Sequence, residues 1–169
     1  MTVKLRVEAP GDAAAIRAVN CAAFPTEAEA DLVEALRADG DAAISLVAED
    51  NDEIVGHVLL STMQVSADGR AVRAAGLAPV AVVPGRQAQG IGSALVRSAI
   101  DAARAQGFEM LFLLGEPEYY GRFGFSVEAA APFASPYAGP YFQALMLEPA
   151  MVSPKAGDAR YARAFSDLG

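Results

Sequence analysis

Residues 80–93 read Val-Ala-Val-Val-Pro-Gly-Arg-Gln-Ala-Gln-Gly-Ile-Gly-Ser. The run Val80, Ala81, Val82 and Val83 is apolar and largely β-branched, and it stops at Pro84, a residue without the N–H that a sheet ladder needs. A polar turn follows, then Gly90-Ile91-Gly92, and residues 93–106 continue with helical amphipathicity. Glycine at a strand-to-helix junction lets the backbone come close to a ligand, and the first helical turn leaves N–H groups without carbonyl partners. Those donors, with the positive end of the helix dipole, suit a pyrophosphate.

Spacing discriminates between pyrophosphate ligands. A dinucleotide fingerprint requires a third glycine three residues after the second, and Leu95 stands there. A nucleoside-triphosphate loop requires Gly-Lys-Ser/Thr, and no lysine lies nearby. What remains is Gln87-x-x-Gly90-x-Gly92, three residues beyond Pro84.

Toward the N-terminus, residues 3–8 alternate as a first strand, which Pro10-Gly11-Asp12 ends. Asp12 is placed to cap a helix that buries Ile16, Val19 and Ala23. After Phe24-Pro25, Thr26 and Glu29 have the spacing of a capping box for a second helix with Leu32, Val33 and Leu36 inside. Strands are expected over residues 45–49, 54–65 and 71–83, turned at Asp50-Asn51-Asp52 and Asp68-Gly69. Beyond the central helix, stopped by Gly107, residues 110–114 form a short apolar strand and residues 119–122 a helical turn. Residues 126–128 and 141–148 read as closing strands, and residues 158–164 as one more edge strand. Hairpins combined with a single helical crossover imply an α/β (α+β) fold built on a mixed sheet, not a doubly wound parallel one. One domain is expected over 1–148, with a C-terminal extension over 149–169 packed on it.

A second motif follows the short apolar strand: Leu114-Gly115-Glu116-Pro117, then Tyr120-Gly121-Arg122-Phe123-Gly124-Phe125. Gln87-x-x-Gly90-x-Gly92 resembles the acyl-CoA signature Gln/Arg-x-x-Gly-x-Gly/Ala of the GNAT N-acetyltransferase superfamily, and the second motif resembles its Tyr-x-x-x-Gly-Phe segment. With residues 46–49, Gly56-His57-Val58 and residues 77–83, these stretches are similar to the YhbS-like branch of that superfamily over residues 3–148. The resemblance implies the GNAT acyl-CoA N-acyltransferase fold, a central twisted mixed sheet flanked by helices. It implies transfer of an acetyl group from acetyl-CoA to an amine of a small molecule or peptide by direct attack. The alternative from another class is a non-catalytic acyl-CoA-binding or sensing module.

The resemblance also assigns roles. Backbone groups of Ala81, Val82 and Val83 pair with the pantetheine arm as though it were an added strand, with the Val82 N–H at the thioester oxygen. Gln87, Ala88, Gln89, Gly90, Ile91, Gly92 and Ser93 cradle the pyrophosphate. Ala88-Gln89 departs from the basic pairs common there and leaves Arg86 as the nearest cation. Tyr120 takes the general-acid position, where an ordinary phenol stays protonated at neutral pH; Tyr119 is the neighbouring alternative, expected on another face. Glu116 is the candidate base, although an acidic residue before proline is equally a helix cap. Acceptor selection falls to residues 24–26, the start of the second helix and residues 135–141. Glu27, Glu29 and Asp31 there are candidates to hold an ammonium group, and the favoured expectation is that they serve the helix dipole. His57 shares a strand face with Val55, Leu59 and Ser61 and reads as a core histidine.

Composition bounds these readings. The chain has 169 residues, 53% of them apolar, enough for one domain with a sizeable core. A net charge of −8 disfavours nucleic acid and anionic membrane surfaces and tolerates a cationic small molecule. His57 and Cys21 are the single histidine and cysteine, so no set for a structural zinc and no internal disulfide exist, and no metal is expected. The lone thiol, the lack of an N-terminal signal and the lack of a membrane-spanning apolar run fit a cytoplasmic protein. Alanine-rich helices and an edge strand in the tail are compatible with a homodimer.

Overall fold

The computed structural model describes residues 3–147 and 154–168. Strand β1 (Lys4–Val7) leads into helices α1 (Ala13–Ala23) and α2 (Ala28–Ala38), then a hairpin of β2 (Ala42–Asp50) and β3 (Glu53–Thr62). A smaller hairpin, β4 (Gln64–Ala67) and β5 (Arg70–Val72), precedes β6 (Ala74–Val82), α3 (Ile91–Ala105) and β7 (Met110–Leu114). Short helices α4 (Pro117–Tyr120) and α5 (Val127–Ala130) follow, then β8 (Phe133–Ala134), β9 (Phe142–Met146) and β10 (Gly157–Arg160). One sheet has the order β1-β2-β3-β6-β7-β9, and a second the order β5-β4-β10-β8. Every pair in the larger sheet is antiparallel except β6 and β7, between which α3 carries the chain back across.

Alternation along the strands sorts the two faces of the larger sheet. Leu46, Ala48, Val58 and Leu60 pack with Leu95, Val96 and Ala99 of α3. Val47 and Leu59 point the other way, onto Ile16 of α1 and Leu32, Val33 and Leu36 of α2. The buried residues of α3 fall at 91, 95, 96, 99, 100 and 103, the spacing of a single helical face.

Several expectations need correction. The strands expected over 54–65 and 71–83 each break in two, at Met63 and Arg73, and the inner halves form the β4–β5 hairpin of the second sheet. Residues 126–128 make no strand. Ser126 bridges Ala144 once, and its Oγ accepts from Ala129 N at 3.1 Å, which caps α5. The tail strand is not at an edge: β10 lies between β4 and β8. The expected end of the closing strand at Glu148 and the start of the tail at Pro149 lie outside the described residues.

A wedge in the larger sheet creates the site. β6 and β7 pair only from Ala74 with Met110 to Gly76 with Phe112. Beyond that, β6 stays with β3 as far as Val82 opposite Gly56, and β7 stays with β9 to Leu114 opposite Phe142. The facing edges are left open to each other. Among the described residues, no helix is long and apolar enough to cross a membrane.

Candidate active site

The open edge of β6 has a definite phase. Val83 N donates to Val55 O at 3.0 Å, on the β3 side. Backbone groups alternate along a strand, so Ala81 also turns its amide to β3, while Val82 and Val80 turn theirs into the wedge. Consistent with this, Gln87 Nε2 reaches back from the loop to donate to Val82 O at 3.0 Å. Of the three residues expected to pair with a pantetheine arm, Val82 presents its polar groups to the wedge, and the amides of Ala81 and Val83 face β3. Val80, in phase with Val82, also turns its amide into the wedge; it was not named from sequence, and the strand's own period of two was the signal for it.

Past β6, residues Pro84–Arg86 make a tight 3-10 turn. Ala88 and Gly90 take left-handed backbone, with φ of +60° and +85°, the kind of turn that gathers N–H groups into an anion-binding nest. Helix α3 closes its first backbone bond from Ala94 N to Gly90 O at 3.0 Å. The N–H groups of Ile91, Gly92 and Ser93 therefore have no carbonyl in their own helix, and no described side chain caps this end. A cavity of about 340 Å³ covers it, walled also by Val82, Gln87, Ala88, Tyr119, Arg86 and Arg122. Gln89 is not among the lining residues; its Oε1 accepts from Arg86 Nε at 3.4 Å. Arg86 is ion-paired with Asp50 at 2.9 Å. Arg122 lies over the Tyr119 ring at 4.6 Å. This second cation was missed from sequence, although it stands in the quoted motif two residues after Tyr120.

The two adjacent tyrosines diverge, their rings perpendicular and 4.9 Å apart. Tyr119 turns to the cradle, its hydroxyl 3.2 Å from Ser93 Oγ. Tyr120 turns into the wedge and packs on Gly115, where an added Cβ would collide with its ring. Burial first, and Tyr119 second, push the Tyr120 phenol above its ordinary value near 10, so it is a protonated donor at neutral pH. Tyr120 shares a cavity of about 420 Å³ with Leu77, Val80 and Leu114 from the two open edges.

Glu116 is not in that cavity. It is exposed at the start of α4, where its carbonyl accepts from the N–H groups of Tyr119 and Tyr120. The carboxylate that does line the cavity is Glu29. The expected capping box between Thr26 and Glu29 does not form, because α2 starts at Ala28 and Thr26 Oγ1 accepts instead from Ala28 N at 3.3 Å. Glu29 then lies one turn before Leu32, which lines the same cavity.

His57 is fully buried in β3, as a core histidine should be. Its Nδ1 lies 3.3 Å from Asn20 Nδ2 and its Nε2 2.9 Å from Ser45 Oγ. An amide nitrogen can only donate, so Nδ1 accepts and Nε2 carries the proton. Ser45 passes the chain on to Glu8 at 2.6 Å, and Arg37 holds Glu8 at 2.9 Å. Burial pushes the His57 pKa down to about 4. No group of three metal-ligating side chains occurs among the described residues.

A family model described as an acetyltransferase (GNAT) domain matches residues 5–127. The N-acetyltransferase YhbS of Escherichia coli K12 is 37% identical over 126 residues, 74% of this chain and 74% of that one. YjhQ of the same organism is 39% identical over 116 residues, 68% of this chain and 64% of its own length. The crystal structure of YhbS from Escherichia coli in complex with CoA matches with a TM-score of 0.89 at 32% identity, covering 99% of this chain and 93% of that one. A GNAT family acetyltransferase from Brucella melitensis in complex with acetyl-CoA matches with a TM-score of 0.79 at 37% identity, covering 97% and 98%.

Proposed function

The chain belongs to the GNAT acetyltransferase family, and from that premise we propose that it moves an acetyl group from acetyl-CoA directly onto an amine of a small molecule or peptide. The observation that carries this reading is one continuous feature. The open edge of β6 runs from the cavity holding Tyr120 to the uncapped start of α3. A carrier with a pyrophosphate at one end, an amide-bearing arm and a thioester at the other matches an edge of that kind. Two relatives of this fold were solved with CoA and with acetyl-CoA.

In this reading the amides of Ile91, Gly92 and Ser93 hold the pyrophosphate, with Arg86 and Arg122 alongside. Val80 and Val82 pair with the pantetheine arm as an added strand. One of their N–H groups faces the thioester oxygen and stabilises the negative charge that develops as the carbon becomes tetrahedral. The lone pair of a neutral amine attacks that carbon, a C–N bond forms and the C–S bond breaks. Tyr120 gives its phenolic proton to the departing sulfur and is reprotonated through water by the nitrogen that has become an amide. The products are an N-acetyl amide and the free thiol.

Calorimetric titration with acetyl-CoA, with CoA and NAD as comparators, tests the reading, followed by an assay of amine-dependent CoA release. We expect saturable acetyl-CoA binding, no NAD binding, and thiol release that rises when an amine is supplied. No binding at millimolar acetyl-CoA would sink the proposal. Binding without amine-stimulated release would reduce the protein to an acyl-CoA-binding module.

A further inference from the structure

The wall of the Tyr120 cavity is mainly apolar, and two of its polar atoms have no match. Glu29 Oε1 and the Tyr161 hydroxyl are both buried without a hydrogen-bond partner among the described residues, and both side chains line this cavity. A buried carboxylate oxygen or hydroxyl left in this state costs free energy, which a ligand with a suitable partner restores. The other acids of α2 and its approach are satisfied differently. Glu27, Asp31 and Glu34 are exposed and gather around Arg17 at 3.8, 3.0 and 3.2 Å. Among the described residues, Glu29 is the one charged residue in the cavity lining.

Aromatic side chains make up much of the remaining wall, and the tail supplies two of them. Tyr161 lies over Gly76, where a Cβ would come within 2.6 Å of its Cε1. Its ring packs edge-on against Tyr137 at 5.4 Å and tilts against Phe165 at 4.9 Å. Phe24 and Leu32 complete the apolar surround. A volume of about 420 Å³ suits a small molecule.

We propose that Glu29 is the acceptor-binding carboxylate and that the acceptor is a monoamine on an uncharged apolar body, with an arylalkylamine as its model. The ammonium meets Glu29, and Tyr137, Tyr161 and Phe165 cover the ring. The chemistry of the wall disfavours other amines. An α-amino acid brings a carboxylate next to its ammonium, and among the described residues no cation lines the cavity to receive it. A polyamine brings more positive charge than one carboxylate answers. This inference rests on the acetyltransferase reading, and its test separates the two.

The experiment uses the full chain with saturating acetyl-CoA and compares phenethylamine, phenylalanine and spermidine as acceptors, for the wild type and for Glu29→Gln. Phenethylamine should be the best of the three. Glu29→Gln should lower its kcat/KM about 30-fold, mainly through KM, as expected when a charge-assisted contact is lost. Acetyl-CoA affinity by calorimetry should not change. Binding is read independently of turnover from tyrosine fluorescence, since the chain has no tryptophan and three of its five tyrosines line the cavity. Phenethylamine should quench the wild type and not Glu29→Gln at the same concentration. A preference for phenylalanine or spermidine, or a variant equal to the wild type in both readouts, overturns the inference and leaves acetyl transfer standing. Failure to bind acetyl-CoA at all overturns the acetyltransferase reading and this inference with it.

Discussion

Tyr120 owes its place to a side chain that is missing: its ring fills the space above Gly115. Two substitutions separate the hydroxyl from its placement. Tyr120→Phe leaves the ring in the wedge and removes the proton donor. It should lower kcat about 100-fold, the lower range for general acid catalysis, with acetyl-CoA affinity unchanged. Gly115→Ala keeps the hydroxyl but drives the ring away, so it should lower kcat and also raise KM for the amine, whose cavity Tyr120 helps to wall. Steady-state kinetics with calorimetry distinguishes these patterns, and a Phe variant as fast as the wild type would remove the acid assignment. That Tyr120, Gly90 and Gly92 come to the wedge and the start of α3 was legible in the sequence, because contiguous motifs encode their positions by spacing. Glu29 was legible only as one of three acids at the start of the second helix, with the helix dipole and Thr26 as local explanations; the start of α2 at Ala28 and the cavity wall set it apart from Glu27 and Asp31. The phase of the β6 edge was also hidden. Which of Ala81 and Val82 faces the wedge depends on register against β3, a long-range pairing that the local pattern does not contain.

Helix α3 serves both the core and the anion site, and the two roles meet at Gly92. A Cβ there would lie 3.7 Å from both Tyr119 Oη and Val82 Cγ2, an ordinary contact that the ligand-free protein accepts. Alanine also suits a helix better than glycine, by up to about 1 kcal/mol. That methyl stands between two residues that wall the cradle, and the Gly/Ala alternative in the signature means that the site has room for it. Gly92→Ala should therefore melt at the same or a slightly higher temperature and keep its acetyl-CoA affinity, whereas Gly92→Glu, which brings a bulky carboxylate to the cradle, should bind acetyl-CoA at least about tenfold more weakly. Full affinity in Gly92→Glu would show that the pyrophosphate does not approach the start of α3. At this scale the sequence was most legible where periodicity and burial agree, as along the buried face of α3. It misled where one alternating run serves two sheets. Residues 54–65 keep a strand-like pattern through Met63, and nothing in a period of two marks where the chain leaves β3 for β4.

At the scale of the whole molecule, the response to acid converges on one residue. Asn20 of α1, Ser45 of β2, Glu8 just beyond β1 and Arg37 of α2 form a hydrogen-bonded chain through His57 of β3, so the helical layer is tied to the sheet there. Protonating Nδ1 would turn an acceptor into a donor aimed at the Asn20 amide and place a charge in the core. Burial is the main reason the pKa falls from 6.5 to about 4; Glu8 opposes the shift and Arg37 adds to it. The unfolded chain takes up a proton near its ordinary value of 6.5, while the native protein does not until the pH nears about 4. Stability from this residue is thus fully present at neutral pH and is lost as pH falls through that window, by about 2 kcal/mol between pH ~7 and ~5. For Glu8, burial raises the carboxyl, but the Arg37 and Ser45 hydrogen bonds outweigh it and hold the group below its ordinary range, so its contribution is lost only in stronger acid. The single histidine makes the check direct. Its imidazole proton resonances in the native protein should stay fixed down to pH ~5, while the urea unfolding free energy falls over the same range. His57→Gln should flatten that fall. A native resonance that titrates at its ordinary pH would mean a solvated ring, and the helical layer would then have to be held to the sheet by apolar packing alone.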